Sequence, residues 1–204
     1  VYKKAIEISP TSIEAIAALE RIFRAESSAQ DLVETLELRV NATPEPADRI
    51  PVLLEIGGLW KGALGSPGEG IPAYQRVVQI DPTHALAVSN LVTLYTSESR
   101  WEDLVELYLG QLEIETAVPK RVGLLRKVAV IQENHLDDLE QAFGALQIAW
   151  EENVFDRETM AELERVTAAA QKWNELLASA NTALAAATDQ AVSIGINLCI
   201  AKWY

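Results

Sequence analysis

The chain has one cysteine, Cys199, and two histidines among its 204 residues. A single cysteine excludes an intramolecular disulfide and a cysteine zinc cluster. Aromatic residues make up only 6%, which disfavours a β-sandwich core. Apolar runs are short, and none has the length needed to cross a bilayer, so membrane insertion is not expected. Basic residues are the scarcer charge, 17 against 30 acidic, for a net charge of −13. A surface that negative repels phosphate backbones and anionic lipid, so nucleic acid is not an expected partner. The opening Val1-Tyr2-Lys3-Lys4 lacks a signal-peptide pattern. The eight prolines are read at segment ends, with Pro72 the one awkward case.

What is abundant is apolar content, 49%, carried mostly by alanine and leucine. That balance suits close helix packing. The content is also repeated. Displacing the sequence by 72 residues brings Tyr2 onto Tyr74, Ile8 onto Ile80 and Pro10-Thr11 onto Pro82-Thr83. Ala15, Leu19 and Glu26-Ser27 fall on Ala87, Leu91 and Glu98-Ser99. Asp31-Leu32-Val33-Glu34 falls on Asp103-Leu104-Val105-Glu106, giving 12 identities without a gap. A second displacement carries Trp101 onto Trp173 and Leu104 onto Leu176. A fixed period of this kind marks a repeat architecture.

Seventy-two residues fit two helix pairs. Leu53, Ile56, Leu59 and Trp60 recur at helical spacing, as do Val88, Leu91, Leu94 and Tyr95. Ser9-Pro10, Thr43-Pro44-Glu45-Pro46, Gly65-Ser66-Pro67-Gly68 and Asp81-Pro82 are breaks. The pattern predicts helices near 2–9, 11–26, 28–42, 46–64, 68–80, 83–98, 100–115, 119–135, 138–152, 156–170, 172–187 and 189–204. Short breaks predict antiparallel neighbours, and stacking of pairs predicts one continuous solenoid over residues 1–204.

Little of the sequence reads as chemistry. His84 at a helix start reads as a first-turn residue rather than a catalytic base. His135, before Leu136-Asp137-Asp138, reads as a helix end followed by an acidic cap, because those ligands would not converge on one ion. Gly65–Gly70 lacks the lysine of a phosphate loop and follows a helix instead of a strand. Cys199 has no identifiable base and reads as a helical filler. Trp101 and Trp173 open equivalent helices and are expected to be mostly buried. Asn41-Ala42-Thr43 matches a glycosylation acceptor, a pattern common by chance. No catalytic constellation and no cofactor site emerges, so the expectation is not an enzyme.

Gly58, Gly70, Tyr74 and Pro82 have the small–small–aromatic–proline spacing of the tetratricopeptide-repeat family, and Ala142 and Leu146 hold matching places one period on. Starts at Pro51, Ala85 and Gly123 are 34 and 38 residues apart, the first being that family's usual period. Lys61 and Val154 depart from the pattern. The whole chain resembles the long tetratricopeptide-like proteins of bacteria with a 72-residue double repeat. The resemblance implies an all-α, right-handed superhelix and a scaffold for protein or peptide partners. It implies that the first helix of each pair lines the concave side. The positions so carried over include Arg21, Arg24, Glu55, Ser89, Thr93, Lys127, Asn134 and Arg165. Together with Glu14 and Glu158, the ionisable members sum to +1 against −13 overall. Arg21, Arg24, Lys127 and Arg165 are therefore expected to share a face that receives an extended, somewhat acidic segment. The alternative is a structural, self-associating segment, with contact through uncapped terminal helices. Both ends of the sequence align with helix interiors, so a piece of a longer array is expected.

Overall fold

The computed structural model describes residues 12–204; the expected helix at 2–9 lies outside them. Among the described residues there are eleven α-helices and no strand. The chain forms two compact units, residues 1–100 and 101–204. The first contains α1 (Ile13–Ala25), α2 (Ala29–Ala42), α3 (Pro46–Lys61), a single 3-10 turn (Pro67–Gly70), α4 (Ile71–Ile80) and α5 (Ala85–Ser97). The second contains α6 (Trp101–Ile114), α7 (Val118–Asn134), α8 (Leu139–Glu152), α9 (Arg157–Ala170), α10 (Trp173–Ala186) and α11 (Gln190–Trp203). In each unit, consecutive helices are joined by two to four residues, apart from residues 62–70. Links this short force packed neighbours to run antiparallel. The all-α class of antiparallel helices expected from the repeat is what each unit shows among the described residues.

The 72-residue period is written into the backbone. Ser27, Ser99 and Gln171 all have positive φ, between 55° and 58°. The amide after each donates to the carbonyl five residues earlier: Ser28 to Phe23, Arg100 to Tyr95 and Lys172 to Thr167. This wiring closes the helix end with a left-handed residue, a common way to satisfy terminal carbonyls. A second site recurs with the same period. Gly65 and Asp137 both have positive φ, and Ser66 and Asp138 donate to Trp60 and Gln132. Asp137 adopts a conformation that glycine adopts freely, which short polar side chains tolerate.

Burial follows the same register. Leu19, Leu91 and Leu163 are core residues, and so are Leu32, Leu104 and Leu176. The close approach of α3 and α4 depends on glycine. A Cβ at Gly57 would lie 2.5 Å from Tyr74 Cζ, and one at Gly70 would lie 3.1 Å from the Gly57 carbonyl oxygen. Gly57 is thus the small partner of Tyr74. Gly58, which the family spacing singles out, is exposed and faces open space.

Two other expectations are corrected. Pro72 sits in the first turn of α4, where a missing N–H costs nothing. The interior proline is Pro51, in α3. Trp101 and Trp173 are only half-buried. Trp101 stacks on His135, with ring centroids 3.6 Å apart and planes 11° from parallel. The fully buried tryptophan is Trp150, which lies against Trp203 at 5.4 Å. A shared register position fixes the face a side chain occupies. How deep that face lies depends on the neighbours' volume.

Candidate functional site

The first helices of successive pairs lie close enough for side chains to reach across. In the first unit, Arg24 of α1 donates through Nη2 to both carboxylate oxygens of Glu55 on α3, at 2.8 and 3.0 Å. Arg24 also reaches Glu20, which is buried and receives Arg39 at 3.0 Å. A buried carboxylate needs such partners, since an unpaired charge in the interior is strongly destabilising. These hydrogen bonds, Glu55's first, hold the Arg24 guanidinium above its ordinary pKa. In the second unit, Arg165 of α9 pairs with Glu133 of α7, at 2.6 Å for the Nη2 bond. That pairing lowers the Glu133 carboxyl below its usual range. Arg126 of α7 donates to Glu158 at 2.7 Å and to Glu162 at 2.8 and 3.0 Å.

These pairs bear on the expected charge contrast. Arg24 and Arg165 occupy the expected helices, yet their charges are directed at neighbouring helices. The remaining expected residues fall as follows. Arg21 is exposed on α1. Ser89 and Thr93 are exposed on α5, where Thr93 Oγ1 donates to the Ser89 carbonyl at 2.9 Å. Asn134 is exposed as the last residue of α7. Arg21, Arg24, Glu55, Ser89 and Thr93 belong to the first unit, and Lys127, Asn134 and Arg165 to the second.

Lys127 is different. It is exposed and makes no ion pair among the described residues, and its Nζ sits 5.2 Å from the Tyr108 ring centroid. It borders a cavity of about 430 Å³ formed by α6, α7 and α9. Leu104, Tyr108 and Ile131 form the buried floor, Val130 is a partly exposed wall, and Arg126 with Glu162 closes one side. Gly123 lines the same cavity, and a Cβ there would meet open space. The residue types come from the helical periodicity. Lys127, Val130, Ile131 and Asn134 lie three and four residues apart along one side of α7. Arg126 and Glu162 were not singled out by sequence, because their role depends on how α7 is rotated against α6 and α9.

A second cavity, of about 410 Å³, lies in the first unit beside Ile16, Glu20, Arg39 and Pro44. Its polar wall is the satisfied Glu20–Arg39 pair. The sequence candidates for chemistry have structural roles. His84 caps α5, its Nδ1 accepting from the Ala87 amide at 3.4 Å. His135 caps α7 and stacks on Trp101. Burial pushes the Cys199 thiol pKa up, opposed in part by Trp150. Among the described residues no group of His, Cys, Asp or Glu is placed to hold a metal ion, and no helix is long and apolar enough to cross a membrane.

No family model and no curated protein matches the chain. Solved structures similar to it include the crystal structure of MamA protein, at 14% identity and a TM-score of 0.43, covering 86% of this chain and 90% of that one. Another is a tetratricopeptide repeat protein from Parabacteroides merdae ATCC 43184, also at 14% and 0.43, covering 100% of this chain and 72% of that one.

Proposed function

We propose that the chain is a protein-interaction scaffold and that α7 presents its peptide-binding surface. The observation that carries this reading is the cavity bordered by Lys127. An apolar pocket of a few hundred Å³ with one accessible charge is the usual form of a recognition site. The cavity is large enough for an aliphatic side chain, which would cover Leu104, Val130 and Ile131. Lys127 would meet an adjacent carboxylate. The preferred ligand is therefore an extended peptide with leucine or isoleucine beside aspartate or glutamate. Arg126 is not available for this role, because Glu158 and Glu162 already hold its guanidinium. The two units are read as parts of one array that serves this function.

The test is a calorimetric titration with short peptides that pair leucine with either aspartate or lysine. The aspartate peptide is expected to bind more tightly, and Lys127→Glu to weaken it about tenfold, on the order of 1.4 kcal/mol. Lys120→Glu, an exposed change on the same helix, serves as the control. Equal weakening by both variants would point to bulk charge, and unchanged binding in Lys127→Glu would overturn the reading.

A further inference from the structure

The chain has one methionine and one cysteine, Met160 and Cys199. The second unit brings them together. Met160 lies on α9 and Cys199 on α11, 39 residues apart, and Cys199 Sγ stands 3.6 Å from Met160 Sδ. Cys199 is buried and Met160 is half-buried, which leaves the methionine side as the approach from solvent.

The repeat does not require sulfur at these places. In the 72-residue register, Met160 corresponds to Val88 and Ile16, and Cys199 corresponds to Lys127 and Glu55. Trp150 of α8 is a third departure, standing where α4 has the half-buried Val78. Its ring is fully enclosed, and among the described residues its indole N–H finds no hydrogen-bond acceptor. A buried donor without an acceptor is costly, so its surroundings matter. Burial raises the Cys199 thiol pKa, and the Trp150 N–H, set against the sulfur, opposes that shift by favouring the thiolate. A thiol sulfur is a weak acceptor, whereas an ionised acceptor binds an N–H strongly. The Trp150 donor is therefore fully satisfied only when Cys199 has lost its proton to a bound cation.

We propose that Cys199 and Met160 bind one soft monovalent metal ion, copper(I), with the Trp150 N–H supporting the thiolate. A thiolate beside a thioether is a donor pair that favours copper(I). Among the described residues no group of His, Cys, Asp or Glu supplies a site for a harder ion. On binding, the Cys199 S–H bond breaks, its proton leaves to solvent, and a lone pair from each sulfur bonds to the ion. No electron is transferred. The charges of thiolate and ion cancel, so the buried site gains no net charge. With metal–sulfur bonds of about 2.3 Å, the 3.6 Å separation sets an angle of about 100° at the ion. Such a bend leaves room for a third donor, which enters from solution on the methionine side. The site lies on α8, α9 and α11 and does not depend on the Lys127 cavity.

The full chain would be titrated without oxygen, with copper(I) as its acetonitrile complex and with silver nitrate as a redox-inert probe. One equivalent is expected to saturate the chain, quench tryptophan fluorescence and release one proton. X-ray absorption of the copper(I)-loaded chain should show two sulfur neighbours at about 2.3 Å. Cys199→Ser should abolish binding. Met160→Leu, a change of similar volume, should weaken it at least about tenfold while helicity stays unchanged. The proposal is overturned if the ion has a single sulfur neighbour, which the unaltered chain reports without any variant. It is also overturned if Met160→Leu binds as tightly as the parent chain, if binding survives Cys199→Ser, or if equimolar zinc(II) displaces silver(I).

Discussion

The pair α3–α4 and the pair α7–α8 lie one period apart and bring two helices together with different side chains. In the first, Gly57 gives way to Tyr74, and Gly70 gives way to the backbone of Gly57. In the second, Ala129 and Ala142 stand where the glycines stood, and Leu146 stands where the tyrosine stood. One pair joins smaller residues to a larger ring, and the other joins larger residues to a smaller side chain. What the repeat preserves is the shared volume, and the individual residue types drift around it. The turns behave alike: Gly65 and Asp137 take the same left-handed conformation with different chemistry.

The largest expected effect tests burial in the second pair. Trp150→Ala, in α8, should destabilise the fold by about 3–5 kcal/mol, because the ring is completely enclosed. Its counterpart in α4 is the half-buried Val78, whose truncation should matter much less. Trp101→Ala should lose only about 1 kcal/mol, since its stack on His135 is partly open to water. Denaturant midpoints of the two tryptophan variants would check the order, and a reversal would show that exposure misjudges the packing.

The compensation between glycine and tyrosine predicts a change of sign. Gly57→Ala should destabilise by about 1–2 kcal/mol with Tyr74 present, because the new methyl meets the ring. In a Tyr74→Leu background the same change should stabilise, by up to about 1 kcal/mol, since alanine favours the helix and the ring is gone. A double-mutant cycle by chemical denaturation measures this. Additive effects would mean that the two pairs do not share one volume rule.

The smallest expected effect concerns the turns. Gln171 has φ of 58°, and replacing it with glycine should stabilise by about 1 kcal/mol or less. The gain at Gly65 is already present, so Gly65→Asp should carry a penalty of similar size. Thermal denaturation of both variants would compare the two sites.

Much of this architecture can be read from the sequence, and particular residues show where that reading stops. The helices and their period follow from side chains repeating at three, four and seventy-two residues, because each copy must bury the same stripe. Gly57 and Gly58 could not be told apart by spacing, since only rotation about the helix axis decides which one meets Tyr74. Pro51 was read with the prolines at segment ends, yet it lies inside α3, where its apolar surroundings keep helical periodicity through the missing hydrogen bond. The tryptophans were placed on the correct helices with the wrong depth. Of the residues expected on the concave side, Lys127 is the cation that borders the cavity formed by α6, α7 and α9. Glu55 was named for the same face as Arg24 but not as its partner, and Glu133, which holds Arg165, was not named, because these pairs join helices across 31 and 32 residues. Ion pairing between helices depends on their separation, which no local pattern encodes.

The most direct test of the scaffold reading is to map where an acidic peptide binds. Backbone amide shifts would be recorded on the labelled chain during titration with the leucine–aspartate peptide. The account predicts perturbations centred on Leu104, Tyr108, Lys127, Val130 and Ile131, and their loss in Lys127→Glu. Shifts centred on another surface, or shifts that Lys127→Glu leaves intact, would contradict it.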